Sequence, residues 1–105
     1  MSAKLRRNIP ALRNIFNASK SQQKKLIGDA PANILGSLCE CAHNVLKGNV
    51  PLTTKQFKHL KRYHKQLKTV SRKKTSLKSK RKTFQSGGFL GALIAPIAKL
   101  LLGAL

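Results

Sequence analysis

Leu5, Ile9, Leu12 and the pair Ile15-Phe16 recur at helical spacing from the start of the chain, giving one apolar helix face. Pro10 is tolerated in the first turn of this helix, and Asn8 beside it is a capping candidate. Ser19 and Gln22 have the spacing of a capping box and predict a short helix from Lys20 to Ile27, stopped by Gly28. Asp29 is positioned to cap a further helix, with Pro31 in its first turn. Ile34, Leu35, Leu38, Cys41, Ala42, Val45 and Leu46 form a broad apolar stripe along it, and Gly48 is a natural stop. No other segment before residue 89 is as hydrophobic, which predicts this helix at the centre of the core.

The clearest start signal comes next. Thr53 and Gln56 form a capping box, and Leu52 and Phe57 stand where a hydrophobic staple needs them. Pro51 prevents helix from running in from upstream. The predicted helix, Thr54 to about Val70, gathers Phe57, Leu60, Tyr63, His64, Leu67 and Val70 on one face, with cations on the rest. Arg72-Lys73-Lys74 reads as a basic turn, Leu77–Phe84 as one more short helix, and Gln85-Ser86-Gly87-Gly88 as a flexible joint. The last segment, FLGALIAPIAKLLLGAL, is almost wholly apolar. The pattern predicts an all-α fold, a small bundle of three to four short helices with a basic extension and a C-terminal apolar helical tail. Its expected parts are a helical domain over 1–70, the extension and diglycine joint over 71–88, and the tail over 89–105.

Charge changes the picture most. The chain of 105 residues has a formal net charge of +20, and its only acids are Asp29 and Glu40. Internal ion pairing neutralises little of this, so self-repulsion opposes compaction until salt or a polyanion screens it. Thirteen of the 22 basic residues fall between Lys55 and Lys82: Lys55, Lys58, Lys61, Arg62, Lys65, Lys68, Arg72, Lys73, Lys74, Lys78, Lys80, Arg81 and Lys82. Ten are Lys and three Arg. Lys is a point charge, whereas bidentate base readout favours Arg, so these residues predict phosphate contacts without sequence preference. With five aromatic residues and no Trp, the chain lacks the stacking platforms of single-strand readers.

Other chemistry is poorly supplied. Cys39, Cys41 and His43 share one predicted helix, where residues two apart point about 200° from each other, so no metal site is expected. Two thiols make no disulfide framework and suit a reducing compartment. His59 and His64 are expected on the polar face or at its boundary, where a phosphate contact is open to them. Two distant acids give no carboxylate pair, and neither Cys lies in a nucleophile motif; neither an enzyme nor a cofactor is expected. The N-terminus lacks the apolar run of a signal peptide. As a helix the tail spans about 26 Å, short of the roughly 30 Å of a bilayer core, and Pro96 and Lys99 interrupt it. An alternative reading is a membrane-active precursor whose tail lies at an interface. Gly87-Gly88 reads either as a hinge or as a protease site, since side-chain-free backbone enters a narrow cleft unobstructed.

A basic chain, a diglycine and a short apolar tail with a central proline resemble the adenovirus precursor of core protein X (mu). The chain is more similar still to the mu-like proteins of adintoviruses and Maverick/Polinton-type elements. The matching residues are CECAHNVLKGNVPLT (39–53), the basic helix after it, and QSGGFLGALIAPIAKLLLGAL (85–105). The resemblance implies a virion core protein that condenses double-stranded DNA, works in the virion and the host nucleus, and meets other core or capsid proteins. It also implies maturation by a viral cysteine protease cutting after Gly88. Gln85 stands where that protease usually takes Met, Ile or Leu, and this chain is Lys-rich where adenovirus mu is Arg-rich.

Overall fold

Eight helices and no strand form among the described residues, 2–86 and 88–103, of the computed structural model; side chains are described as far as residue 98. They are α1 (Ala3–Arg7), α2 (Ile9–Asn17), α3 (Lys20–Asp29), α4 (Ala32–Leu46), α5 (Thr54–Lys61), α6 (His64–Ser71), α7 (Leu77–Gln85) and α8 (Phe89–Gly103). The fold is all-helical, but three to four helices is an undercount. Part of the excess comes from stretches that read as single helices and break in two.

The capping boxes stand where the sequence puts them. Ser19 and Thr53 each accept from the backbone N–H three residues on, and Gln22 and Gln56 reach back to the cap N–H. Two other start signals act differently. Asn8 separates α1 from α2, yet its side chain does not cap. Its Nδ2 donates to Ser37 Oγ at 2.8 Å and to the Asn33 carbonyl at 3.3 Å, tying the α1–α2 corner to α4. Asp29 is the last residue of α3, and Pro31 takes the N-cap place of α4 without a side-chain bond. Gly28 does not stop α3. Its missing side chain makes room for α7: Gln85 passes close enough to donate from Nε2 to the Lys24 carbonyl at 2.9 Å.

The expected helix over 54–70 breaks at Arg62-Tyr63 without Pro or Gly. Tertiary packing explains the break. α5 packs against α8, whereas α6 packs most extensively on α4, and one straight helix does not serve both. Tyr63 turns into the corner, edge-on to His59 (5.8 Å) and tilted against Phe89 (6.1 Å). The staple also differs: Phe57 is 57% exposed and, with Leu52, borders an open groove.

Leu35, Leu38, Cys41, Ala42 and Val45 of α4 are buried, as the apolar stripe requires. The same buried cluster includes Phe84 of α7 and Phe89, Leu90, Leu93 and Ile97 of α8. Phe84 and Phe89 stack across the joint, 5.7 Å between centroids and 20° apart. Thus the stretches expected as basic extension and apolar tail supply two core helices. The Cα radius of gyration, 12.4 Å, is close to the about 13 Å of a compact domain of about 100 residues. No helix among the described residues is long and apolar enough to cross a membrane.

Candidate nucleic-acid interface

Amphipathic helices in so basic a chain must turn their cations outward, because an unpaired ammonium is costly to bury. On α5, Lys55 and Lys58 are exposed, with Arg62 at the C-cap and Lys61 on another side. Lys65 and Lys68 are exposed on α6, Arg72-Lys73-Lys74 on the following turn, and Lys78 and Lys82 on α7. Eleven of the thirteen expected phosphate contacts therefore face solvent. Lys55, Lys58, His59 and Arg62 follow the i, i+3, i+4, i+7 spacing of one helix face and line a shallow concavity of about 220 Å³. From Lys55 to Arg62 the axial rise is about 10 Å, three steps of a DNA strand at about 3.4 Å each.

His59 also borders a larger hollow of about 410 Å³ between α3, α5 and the α7–α8 joint, which Lys20 and Lys24 line as well. Folding thus adds two cations to the basic face that are distant in sequence from 55–82. Their i, i+4 spacing on a polar helix was the available signal, but nothing local ties α3 to α5.

Lys80 and Arg81 are placed differently from the other eleven, both partly buried. Arg81 Nη1 donates to the carbonyls of Ile27 (2.8 Å), Gly28 (3.1 Å) and Ala30 (2.7 Å). These lie at the C-terminus of α3, where carbonyls lack helical partners and the dipole favours a cation. Arg81 is thus a clasp between α7 and α3. Burial pushes the Cys39 thiol pKa up, against the smaller opposing effect of the nearby Lys80 and Lys4 charges.

Cys41 faces the core, and burial, reinforced by Glu40 and Cys39, pushes its thiol up to about 12. His43 on the same helix is exposed, so Cys39, Cys41 and His43 diverge. Among the described residues no three His, Cys, Asp or Glu side chains gather to hold a metal ion.

Of the expected cleavage pair, Gly87 lies outside the described residues. Gly88 has φ +85° and leaves no room for a side chain beside the Tyr63 hydroxyl, so glycine is required there twice over. The next residue, Phe89, begins α8 and is fully buried. No family model, curated protein or solved structure matches the chain.

Proposed function

We propose that this protein is a viral core protein that binds double-stranded DNA through its phosphates, without sequence preference, and condenses it in the virion. The observation that carries the reading is the run of eleven exposed cations over α5, α6 and α7, with no acidic residue between Lys55 and Lys82 to neutralise them. The mechanism is charge neutralisation. Each ammonium or guanidinium displaces condensed counterions from the duplex, and their release drives binding. The α5 concavity seats phosphate, and the cations of α6, the 72–74 turn and α7 extend the contact.

The viral assignment rests on the resemblance to mu-like proteins over 39–53, the basic helix after it and 85–105. With it go the partners and the place: other core or capsid proteins, a viral cysteine protease acting after Gly88, the host nucleus and the virion. The membrane-active alternative has less support, because α8 already spends Phe89, Leu90, Leu93 and Ile97 on the core.

Titrating random duplex DNA with the full chain at several salt concentrations tests the DNA reading. Neutralising roughly 6–8 phosphates gives a slope of log K against log salt near −6. A slope near zero, or strong preference for one sequence, refutes it. Mass spectrometry of protein from mature particles tests processing: a chain ending at Leu105 refutes obligatory cleavage.

A further inference from the structure

On the flank of α5 away from the phosphate track lies an apolar groove of about 480 Å³. Buried Val45, Leu60 and Leu67, from α4, α5 and α6, form its floor. Leu46, Leu52 and Phe57 form its walls, and the Phe57 ring is 57% exposed. Its polar rim consists of Lys61 and His64. At about 100° per residue, Phe57, Leu60 and Lys61 centre about 155° round α5 from Lys55, Lys58, His59 and Arg62. One short helix therefore presents phosphate-binding cations on one side and an apolar cleft on the other.

We infer that this groove docks an acidic amphipathic helix of another protein, with apolar side chains on its floor and carboxylates on its rim. The volume suits a few apolar anchors, falling within the roughly 300–1,000 Å³ of ligand clefts. Charge complementarity selects the occupant. The rim cation Lys61 sits in a region with no acid after Glu40. A second copy also carries +20, and its only acids are Asp29 and Glu40, the latter already accepting from Ser2 Oγ at 2.9 Å. DNA brings the right charge but covers the polar flank, and an apolar floor gives its phosphates nothing. A cleft between helices accepts a helix through anchors at i, i+3 or i+4, and i+7. Such a partner would ride on the side of α5 that DNA leaves free, making the protein an adaptor between DNA and an acidic protein surface.

The probe is a labelled synthetic helix with leucines at i, i+4 and i+7 and glutamates elsewhere, titrated into the full chain and followed by fluorescence anisotropy. It is expected to bind, and to weaken about tenfold or more when its leucines become serines or when the protein carries Phe57→Ala. Phe57 is exposed, so this variant folds, and its salt slope on duplex DNA should equal that of the parent. Several results overturn the proposal: no binding, equal binding by the serine peptide, or equal binding by Phe57→Ala. So do two others that Phe57→Ala abolishes without any peptide binding: self-association in sedimentation, which assigns the groove to a second copy, and binding to phosphatidylcholine vesicles, which assigns it to lipid. The DNA slope is read separately, so failure here and failure of the DNA reading are distinguishable.

Discussion

Leu93→Ala asks whether the apolar C-terminal helix is part of the fold or an appendage to it. Leu93 has no exposed surface and sits in α8, which packs against α5, α7 and α2. Truncating a buried leucine costs about 2–5 kcal/mol, from lost transfer energy and the cavity left behind. Domains of this size have about 5–15 kcal/mol in all. Each kcal/mol moves the midpoint by about 4–8 °C, so the melting temperature should fall by about 10 °C or more. Melting should be followed by circular dichroism without DNA, because a ligand for the folded state adds its own stabilisation. Moderate salt screens the self-repulsion of the +20 chain. Ala95→Ser, at an exposed position of α8, is the control. A loss below about 0.5 kcal/mol for Leu93→Ala, the level of an ordinary surface change, would refute the core role of α8.

Arg81→Lys should destabilise by about 1–3 kcal/mol in urea denaturation, since a single ammonium cannot reproduce the three-carbonyl clasp. It should leave the salt slope of DNA binding unchanged, whereas Lys58→Gln should lower the slope by about one unit without affecting stability. Gly88→Ala should cost about 1–3 kcal/mol from the positive φ and the clash with Tyr63, and Tyr63→Phe in the same chain should recover part of the loss. Iodoacetamide at mildly alkaline pH should label partly buried Cys39 before buried Cys41, as peptide mapping reads out. The fold holds the Cys41 thiol protonated up to about 12, against 9.0 for the free group. The folded state therefore binds the extra proton between these values. The contribution of Cys41 is whole below pH 9.0 and lost as pH rises towards about 12, a slope that Cys41→Ala should lack.

Local signals in the sequence were reliable where local chemistry settles the structure. Ser19–Gln22 and Thr53–Gln56 close their capping boxes, the α4 stripe is buried, and Gly48 ends that helix at φ +78°. Features decided by distant contacts were hidden. Gly28 reads as a helix stop but is a gap for Gln85 of α7. Asp29 reads as a cap, yet α3 runs through it, with Arg81 supplying the donors its last turn needs. The break at Arg62-Tyr63 carries no breaker residue; it exists because α5 and α6 have different partners. The basic stretch was legible as charge but not as a surface, since charge counting does not separate Arg81 from Lys82 or bring Lys20 and Lys24 to the same hollow as His59.

The stacked Phe84 and Phe89 turn the joint between them into a reporter. A protease reads extended backbone, and the bond after Gly88 leads directly into a buried helical residue. A protease cutting there would have to wait for the first turn of α8 to lift away. When reclosing outruns cleavage, the rate tracks the fraction of molecules open at that instant. Scission at this point would therefore work as a clock set by the fold. Anything that tightens the Phe84–Phe89 contact would slow such a clock, and anything that pries α8 loose would start it.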